Sequence, residues 1–155
     1  MTVKIASVAC LQTAILCAAA LCASPVTAQN LTISLSGVQS EQGQLVVRVY
    51  NNKKHWLSDK VDEMFKQQSF PLQGQVKDAS VQLSLELPAG DYAISLFQDL
   101  DSNDELKSNW IGIPKEPVAT SNNAKGSMGP PDYKDALFQV ADQPVVQQMN
   151  LTAID

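Results

Sequence analysis

The chain has 155 residues, a formal net charge of -5, and 45% hydrophobic and 17% charged residues. This length is enough for one domain with a buried core and too short for two domains of ordinary size. Acidic residues outnumber basic ones by 16 to 11, and the basic residues form no cluster beyond Lys53 and Lys54. The charge pattern therefore argues against a nucleic-acid-binding protein and against a protein that binds anionic membranes.

Residues 1–28 have the pattern of a secretory signal peptide. Lys4 gives a positive start, an apolar run follows from Ile5 to Cys22, and small residues occupy Val26–Ala28. We therefore predict cleavage after Ala28 and an exported protein, periplasmic or extracellular, with no stable membrane insertion after cleavage. The alternatives are an uncleaved anchor, because the run is about long enough to span a bilayer, and a lipoprotein. All three cysteines lie in this segment, so residues 29–155 can form no disulfide.

Residues 29–155 predict a single all-β domain, because short runs of alternating apolar and polar residues are separated by turn residues. The runs are Leu31–Leu35, Leu45–Val49, Val81–Leu87, Tyr92–Phe97, Ala136–Val140 and Val145–Ile154, with a weaker one at Phe70–Lys77. About seven such strands are typical of an antiparallel β-sandwich, of immunoglobulin-like or prealbumin-like type. The one candidate for a short helix is Trp56–Lys66, with apolar residues along one side.

A long connection rich in Asp, Asn, Gly and Pro runs from Asp99 to about Lys134 and shows little periodicity. A loop of this length inside a compact domain is usually either functional or disordered. It begins with acidic and amide side chains at alternate positions, and oxygen ligands at positions one, three and five of a tight turn can converge on calcium. We therefore predict a calcium site with the ligands Asp99, Asp101, Asn103, Glu105 and Glu116, completed where needed by a loop carbonyl.

The same acidic residues also have an interpretation without metal. Asp and Asn are frequent in turns because their side chains hydrogen-bond to their own backbone. The spacing departs from the EF-hand loop, since Asp104 stands at the position of the sixth-residue Gly and Trp110 at that of the twelfth-residue Glu. A self-capped or solvated turn is therefore the alternative to the calcium site.

Five blocks of residues occur in an order that resembles the exported bacterial proteins of domain of unknown function 2141. The blocks are Leu87–Ile94, Asp99–Asn103, Gly112–Glu116, Ser121–Ala124, and Gly129–Pro131 continuing through Asp135, Ala136 and Phe138. The resemblance implies a small exported β-sandwich and no assigned activity. Members of the family often have His, Gly and Asp at the positions that Gln98, Asp104 and Lys107 occupy in this chain.

Taken together, these features favour a non-enzymatic binding or interaction module whose long loop presents a contact surface to an unidentified ligand or envelope partner. For such a module we expect a groove beside the loop, lined by Trp110 or Tyr133. One alternative is a small secreted hydrolase, which needs two carboxylates facing one cleft, one of them with a raised pKa. The other alternative is a purely structural envelope domain, whose loop would pack flat over the sheet.

Overall fold

The computed structural model describes residues 29–154, which form two β-sheets. The strands are β1 (Gln29–Ser36), β2 (Gln44–Tyr50), β3 (Lys66–Pro71), β4 (Ser80–Leu87), β5 (Gly90–Asp99), β6 (Val118–Thr120), β7 (Phe138–Val140) and β8 (Val145–Asn150). Within the described residues, the only α-helix is the single turn α1 (Tyr133–Ala136), and no helix is long and apolar enough to cross a membrane. The predicted signal peptide lies outside the described residues.

One sheet has the strand order β4–β1–β8 and the other the order β3–β2–β5–β6, with β7 pairing the first part of β5. Neighbouring strands are antiparallel except β1 and β8, which run parallel. The prediction of a wholly antiparallel arrangement is therefore wrong for this pair. The error has a simple cause: parallel and antiparallel strands share the same two-residue alternation, so the sequence pattern does not distinguish them.

The two sheets share one hydrophobic core. Along β4 every second residue is buried and the residues between them are exposed, as the alternation predicted. Core side chains come from both sheets, among them Ile33, Leu85, Val47, Ile94 and Leu96. Full burial of each such side chain stabilises the folded state by about 1.5–3 kcal/mol relative to exposure to water.

Strand β5 is buried on both faces, which its sequence also predicted. Ile94 and Leu96 face the shared core, whereas Phe97 on the opposite face lies beneath Arg48, with 4.8 Å between the guanidinium carbon and the ring centroid. Arg48 is held there by Asp59, whose carboxylate lies 2.6 Å from the guanidinium. The segment between β2 and β3 therefore covers the outer face of the larger sheet, and the end of β5 enters a buried environment.

The predicted helix over Trp56–Lys66 is wrong. Two single turns of 3-10 helix, Lys53–His55 and Val61–Glu63, flank Leu57, whose φ of 61° is left-handed and interrupts a right-handed helix. Aromatic packing fixes this path: the Trp56 ring lies 5.3 Å from the ring of Tyr50 and 5.8 Å from that of Tyr133. The Trp56 indole also donates a hydrogen bond to the carbonyl of Pro131. The segment is thus held by side-chain contacts together with single 3-10 turns, and not by a continuous α-helix.

Strand boundaries differ from the prediction at three places. The weak strand predicted over Phe70–Lys77 lies earlier, at β3, and the following residues form turns. The run Ala136–Val140 divides into the end of α1 and the short β7. The long loop contains β6, three residues that are too few to show a period of two, so residues 29–154 form eight strands instead of about seven.

Glu63 in the segment between β2 and β3 makes the stability depend on pH. Hydrogen bonds from Ser58 and then Lys60 lower its pKa from 4.5 to about 2. A carboxyl whose pKa is lower in the folded state stabilises the protein above its unfolded-state pKa, and this contribution is lost as the pH falls through the folded-state pKa. We expect Glu63→Gln to flatten the pH dependence of the free energy of unfolding between pH 4.5 and about 2, measured by urea denaturation.

The control for this prediction is Glu86→Gln, on the exposed face of β4. We expect it to keep the wild-type pH dependence. If both variants follow the wild-type curve, the hydrogen bonds to Glu63 do not stabilise the folded state.

Candidate functional site

Asp99 is the last residue of β5, and its side chain is 0% exposed. Its Oδ2 accepts hydrogen bonds from Gln44 Nε2 at 3.0 Å and from the backbone N–H of Asp104 at 2.7 Å. Its Oδ1 is buried and has no hydrogen-bond partner among the described residues. A buried polar atom left unpaired costs about 1–3 kcal/mol, and more when the group is charged. A group that paired this atom, such as a cation, would remove that cost.

Gln44, the first residue of β2, and Gly43 just before it explain why Asp99 is buried. Gln44 lies opposite Asp99 in the antiparallel register, so its amide reaches the carboxylate directly. Gly43 has a φ of 74°, and a Cβ at this position would lie 1.9 Å from the Asp99 carbonyl oxygen. Only glycine permits such a close approach, so the start of β2 closes over the end of β5.

Three carboxylates meet at this point: ligand oxygens of Asp99, Asp101 and Glu116 all lie within 4.8 Å of one another. Calcium binds oxygen at about 2.3–2.6 Å, so two ligands on opposite sides of one ion are about 5 Å apart. The spacing of the three carboxylates therefore fits a single calcium ion.

Glu116 is 2% exposed and lies after the acidic turn rather than within it. Its Oε1 accepts the backbone N–H of Leu100 and its Oε2 accepts that of Lys107, both at 3.0 Å. One side chain thus ties together the two ends of the turn. The same two bonds fix the position of its carboxylate beside Asp99 and Asp101.

Asp99 is ionised at neutral pH despite its burial. Burial on its own raises the pKa of this carboxyl, but the hydrogen bonds from the Gln44 side chain and from the backbone N–H of Asp104 outweigh it, so the pKa lies below its ordinary value. A general acid requires a raised pKa. A lowered pKa instead keeps the negative charge that a metal ligand needs.

Lys107 provides the positive charge nearest to this cluster. Its Nζ lies 2.5 Å from Asp101 Oδ2, and the two side chains are 50% and 45% exposed. The hydrogen bond to Asp101 is the largest cause that raises the pKa of Lys107, and the charges of Glu116 and Asp99 add to it. The lysine is therefore positively charged at neutral pH and lies at the edge of the acidic site.

The other two predicted ligands lie differently. Asn103 Oδ1 accepts the backbone N–H of Glu105 at 2.8 Å, and its Nδ2 donates to Asp101 at 3.1 Å. This arrangement is the self-capped turn of the alternative interpretation. The Glu105 side chain is exposed and outside the group of three carboxylates. The structure therefore brings Asp99, Asp101 and Glu116 together, and metal binding by Asn103 and Glu105 stays a prediction.

The side chains that surround Asp99 come from parts of the chain that no sequence motif connects with it. Gln44 donates to both Asp99 and Asp104, and Ser69 donates to Asp104 at 2.6 Å. These residues lie on β2 and β3, far from the acidic turn in the chain. Only the strand register places them there, and a single sequence does not reveal that register.

Residues 107–115, here called the Trp110 finger, form a short hairpin beside the acidic site. Lys115 N–H donates to the Lys107 carbonyl, and Asn109 Oδ1 accepts the N–H groups of both Ile111 and Ile113. At the tip, Trp110 is 94% exposed and Ile111 is 56% exposed. The finger therefore presents two apolar side chains to solvent on a hydrogen-bonded turn.

The expected groove beside the loop, lined by Trp110 or Tyr133, does not match two depressions of the described surface. One depression lies over residues 125–135, at the end of the long loop, and the other lies over residues 34–36, 80–82 and 148–150. Neither is lined by Trp110 or Tyr133. Tyr133 instead packs against Trp56. The exposed aromatic surface near the site is therefore convex, at the tip of the Trp110 finger.

Comparison with known proteins is informative at the level of the family. No curated protein and no solved structure matches the chain. The family model described as "Uncharacterized protein conserved in bacteria (DUF2141)" matches residues 33–148, a range that includes all three clustered carboxylates. The match covers more than half of the chain and confirms the resemblance seen in the sequence. The chain therefore belongs to this family of uncharacterized bacterial proteins.

Proposed function

We propose that this protein is an exported, non-enzymatic binding module in which a calcium ion held by Asp99, Asp101 and Glu116 orders the loop that contacts a partner. The observation that carries the proposal is the buried Asp99 Oδ1, which has no hydrogen-bond partner among the described residues. Asp99 is also one of three residues whose carboxylates cluster. A cation would pair this atom and reduce the repulsion between the three negative charges.

The donor set favours calcium over other metals. The three side chains offer only carboxylate oxygens, which are the ligands of hard cations, whereas zinc and copper sites use nitrogen and sulfur. Magnesium requires a near-ideal octahedron with bonds of about 2.0–2.1 Å, and calcium accepts irregular sets of six to eight oxygens. Two rigid buried carboxylates and one exposed one supply an irregular set, with water or loop carbonyls filling the other positions.

The binding role is supported by the finger next to the site. Glu116 holds the turn that leads into the Trp110 finger, so an ion on Glu116 and Asp101 would restrain the base of the finger. Exposed tryptophan is expensive to leave in water and contributes strongly to protein interfaces when it is buried. We propose Trp110 and Ile111 as the contact residues, and a sandwich of immunoglobulin-like or prealbumin-like type as their scaffold.

The pKa of Asp99 argues against this residue as the acid of a hydrolase. A carboxylate hydrolase needs one protonated acid with a raised pKa next to an ionised partner. Asp99 shifts in the opposite direction and uses one oxygen to accept hydrogen bonds from Gln44 and Asp104. A purely structural domain would have its loop packed flat over the sheet. The exposed Trp110 and Ile111 at the tip of the Trp110 finger argue against this alternative.

Thermal melting in calcium and in chelator tests the proposal. A ligand that binds only the folded state stabilises that state by about 1.4–2.7 kcal/mol when its concentration is about ten to one hundred times its dissociation constant. Extracellular calcium modules have dissociation constants of about 10⁻⁴–10⁻³ M. We therefore expect about 10 mM calcium chloride to raise the melting temperature by several degrees relative to EDTA.

Asp99→Asn is the matched variant, because asparagine keeps the shape of the side chain and the acceptor for Gln44 and Asp104. We expect it to lose the calcium-dependent part of the melting temperature. Asp142→Asn, at an exposed turn position, is the control and should respond to calcium as the wild type does. Identical wild-type melts in calcium and in EDTA would contradict the proposal.

A further inference from the structure

We infer that Lys107 acts as a built-in competitor at the proposed calcium site, and that calcium binds only when the Lys107 ammonium leaves Asp101. This inference rests on the proposed function. It adds that the lysine sets the affinity, so that the site responds to high rather than low calcium concentrations.

The first argument is geometric. Lys107 Nζ lies 2.5 Å from Asp101 Oδ2, and Asn103 Nδ2 lies 3.1 Å from the same oxygen. Asp101 is one of the three residues whose oxygens converge. Two donors therefore already occupy an oxygen of a proposed ligand, and one of them carries a full positive charge.

The second argument is electrostatic. Lys107 is the only basic residue from Asp99 to Trp110, a stretch that holds four acidic residues, at positions 99, 101, 104 and 105. The carboxylate of Glu116, which follows this stretch in the chain, lies in the same cluster. A divalent ion bound to Asp101 would lie close to the ammonium and be repelled by it, with a strength that depends on local screening. Neutralising the lysine removes this repulsion, and we expect roughly a tenfold gain in calcium affinity.

The third argument is that the side chain can leave while the finger stays folded. The Lys107 side chain is 50% exposed, so its ammonium has access to water. Its backbone has separate roles: its N–H donates to Glu116 Oε2, and its carbonyl accepts the N–H of Lys115. Displacement of the ammonium therefore breaks no backbone hydrogen bond.

Isothermal titration calorimetry with calcium chloride tests the inference on the wild type and three variants. Lys107→Gln removes the charge and keeps a donor for Asp101, so we expect its dissociation constant to fall roughly tenfold. Lys107→Arg keeps the charge and should bind calcium about as weakly as the wild type. Lys115→Gln removes an exposed lysine from the other strand of the same finger and should change the affinity by less than about twofold.

The outcomes separate this inference from the proposed function. Equal calcium affinity of the wild type and Lys107→Gln would overturn the inference and leave the calcium site in place. Binding by Lys107→Gln alone would support the inference and contradict calcium binding by the natural protein. No binding by any of the four proteins would overturn both. Thermal melts in EDTA establish that each variant is folded.

Discussion

Glu116→Ala is expected to destabilise the protein by about 2–4 kcal/mol, even when no calcium is present. Its carboxylate accepts the backbone N–H groups of Leu100 and Lys107, both at 3.0 Å, in a position that is 2% exposed. Alanine would leave both donors without their acceptor and release the two ends of the acidic turn. Urea denaturation in EDTA measures this loss directly.

The matched control is Glu105→Ala, which removes an exposed carboxylate from the same turn. Such surface substitutions usually change stability by less than about 0.5 kcal/mol. If Glu116→Ala cost no more than Glu105→Ala, the backbone hydrogen bonds of Glu116 would not hold the turn. The comparison in EDTA also separates this structural role from any role in binding metal.

Gly43→Ala is expected to cost about 3 kcal/mol or more. Part of the cost is the left-handed backbone, with a φ of 74°, which is unfavourable by about 1–2 kcal/mol for a residue with a Cβ. The rest is steric, because the new Cβ would lie 1.9 Å from the Asp99 carbonyl oxygen and force the two strands apart. We also expect weaker calcium binding, since Asp99 would move.

Gly74→Ala separates the two parts of this cost. Gly74 has nearly the same φ, 72°, but nothing lies within 4 Å of a Cβ built on it. It should therefore show only the conformational penalty of about 1–2 kcal/mol. Equal losses of stability in the two variants would contradict the close packing of β2 against the end of β5.

Much of the fold could be predicted from local pattern. The sequence of β4 alternates between apolar and polar residues, and the strand is buried on one face, as predicted. The sequence of β5 is apolar on both faces, and the strand is buried on both, also as predicted. These burial patterns follow from local sequence, because a half-buried strand and a central strand have different apolar patterns. The failures concern contacts between distant residues. The left-handed Leu57 and the Tyr50–Trp56 contact replace the predicted helix, and only the folded chain brings those rings together.

The candidate site divides in the same way. The spacing of Asp99 and Asp101 at the end of a strand predicts that their carboxylates converge. Glu116 was predicted as a further ligand because the long loop can bring its carboxylate back to the same place. The use of the Asn103 oxygen within its own turn is a local alternative that spacing does not exclude. The burial of Asp99 depends on Gln44 of β2, which the strand register places opposite it.

Trp110 shows how a loop residue depends on its context. Its neighbours Asn109 and Ile113 close a hydrogen-bonded turn, and this turn directs the indole away from the sheet. Trp56, by contrast, donates its indole N–H to Pro131 and packs between two tyrosines. Residue type alone does not show whether a tryptophan is packed against the fold or exposed to solvent, whereas the local hydrogen bonds do.

A crystal structure of the protein grown with calcium tests the central claim most directly. The account predicts an ion about 2.3–2.6 Å from Asp99 Oδ1, with carboxylate oxygens of Asp101 and Glu116 also bound to it and the Lys107 ammonium turned into solvent. Crystals grown in excess calcium that show no ion at Asp99 Oδ1, and Lys107 still paired with Asp101, would contradict it.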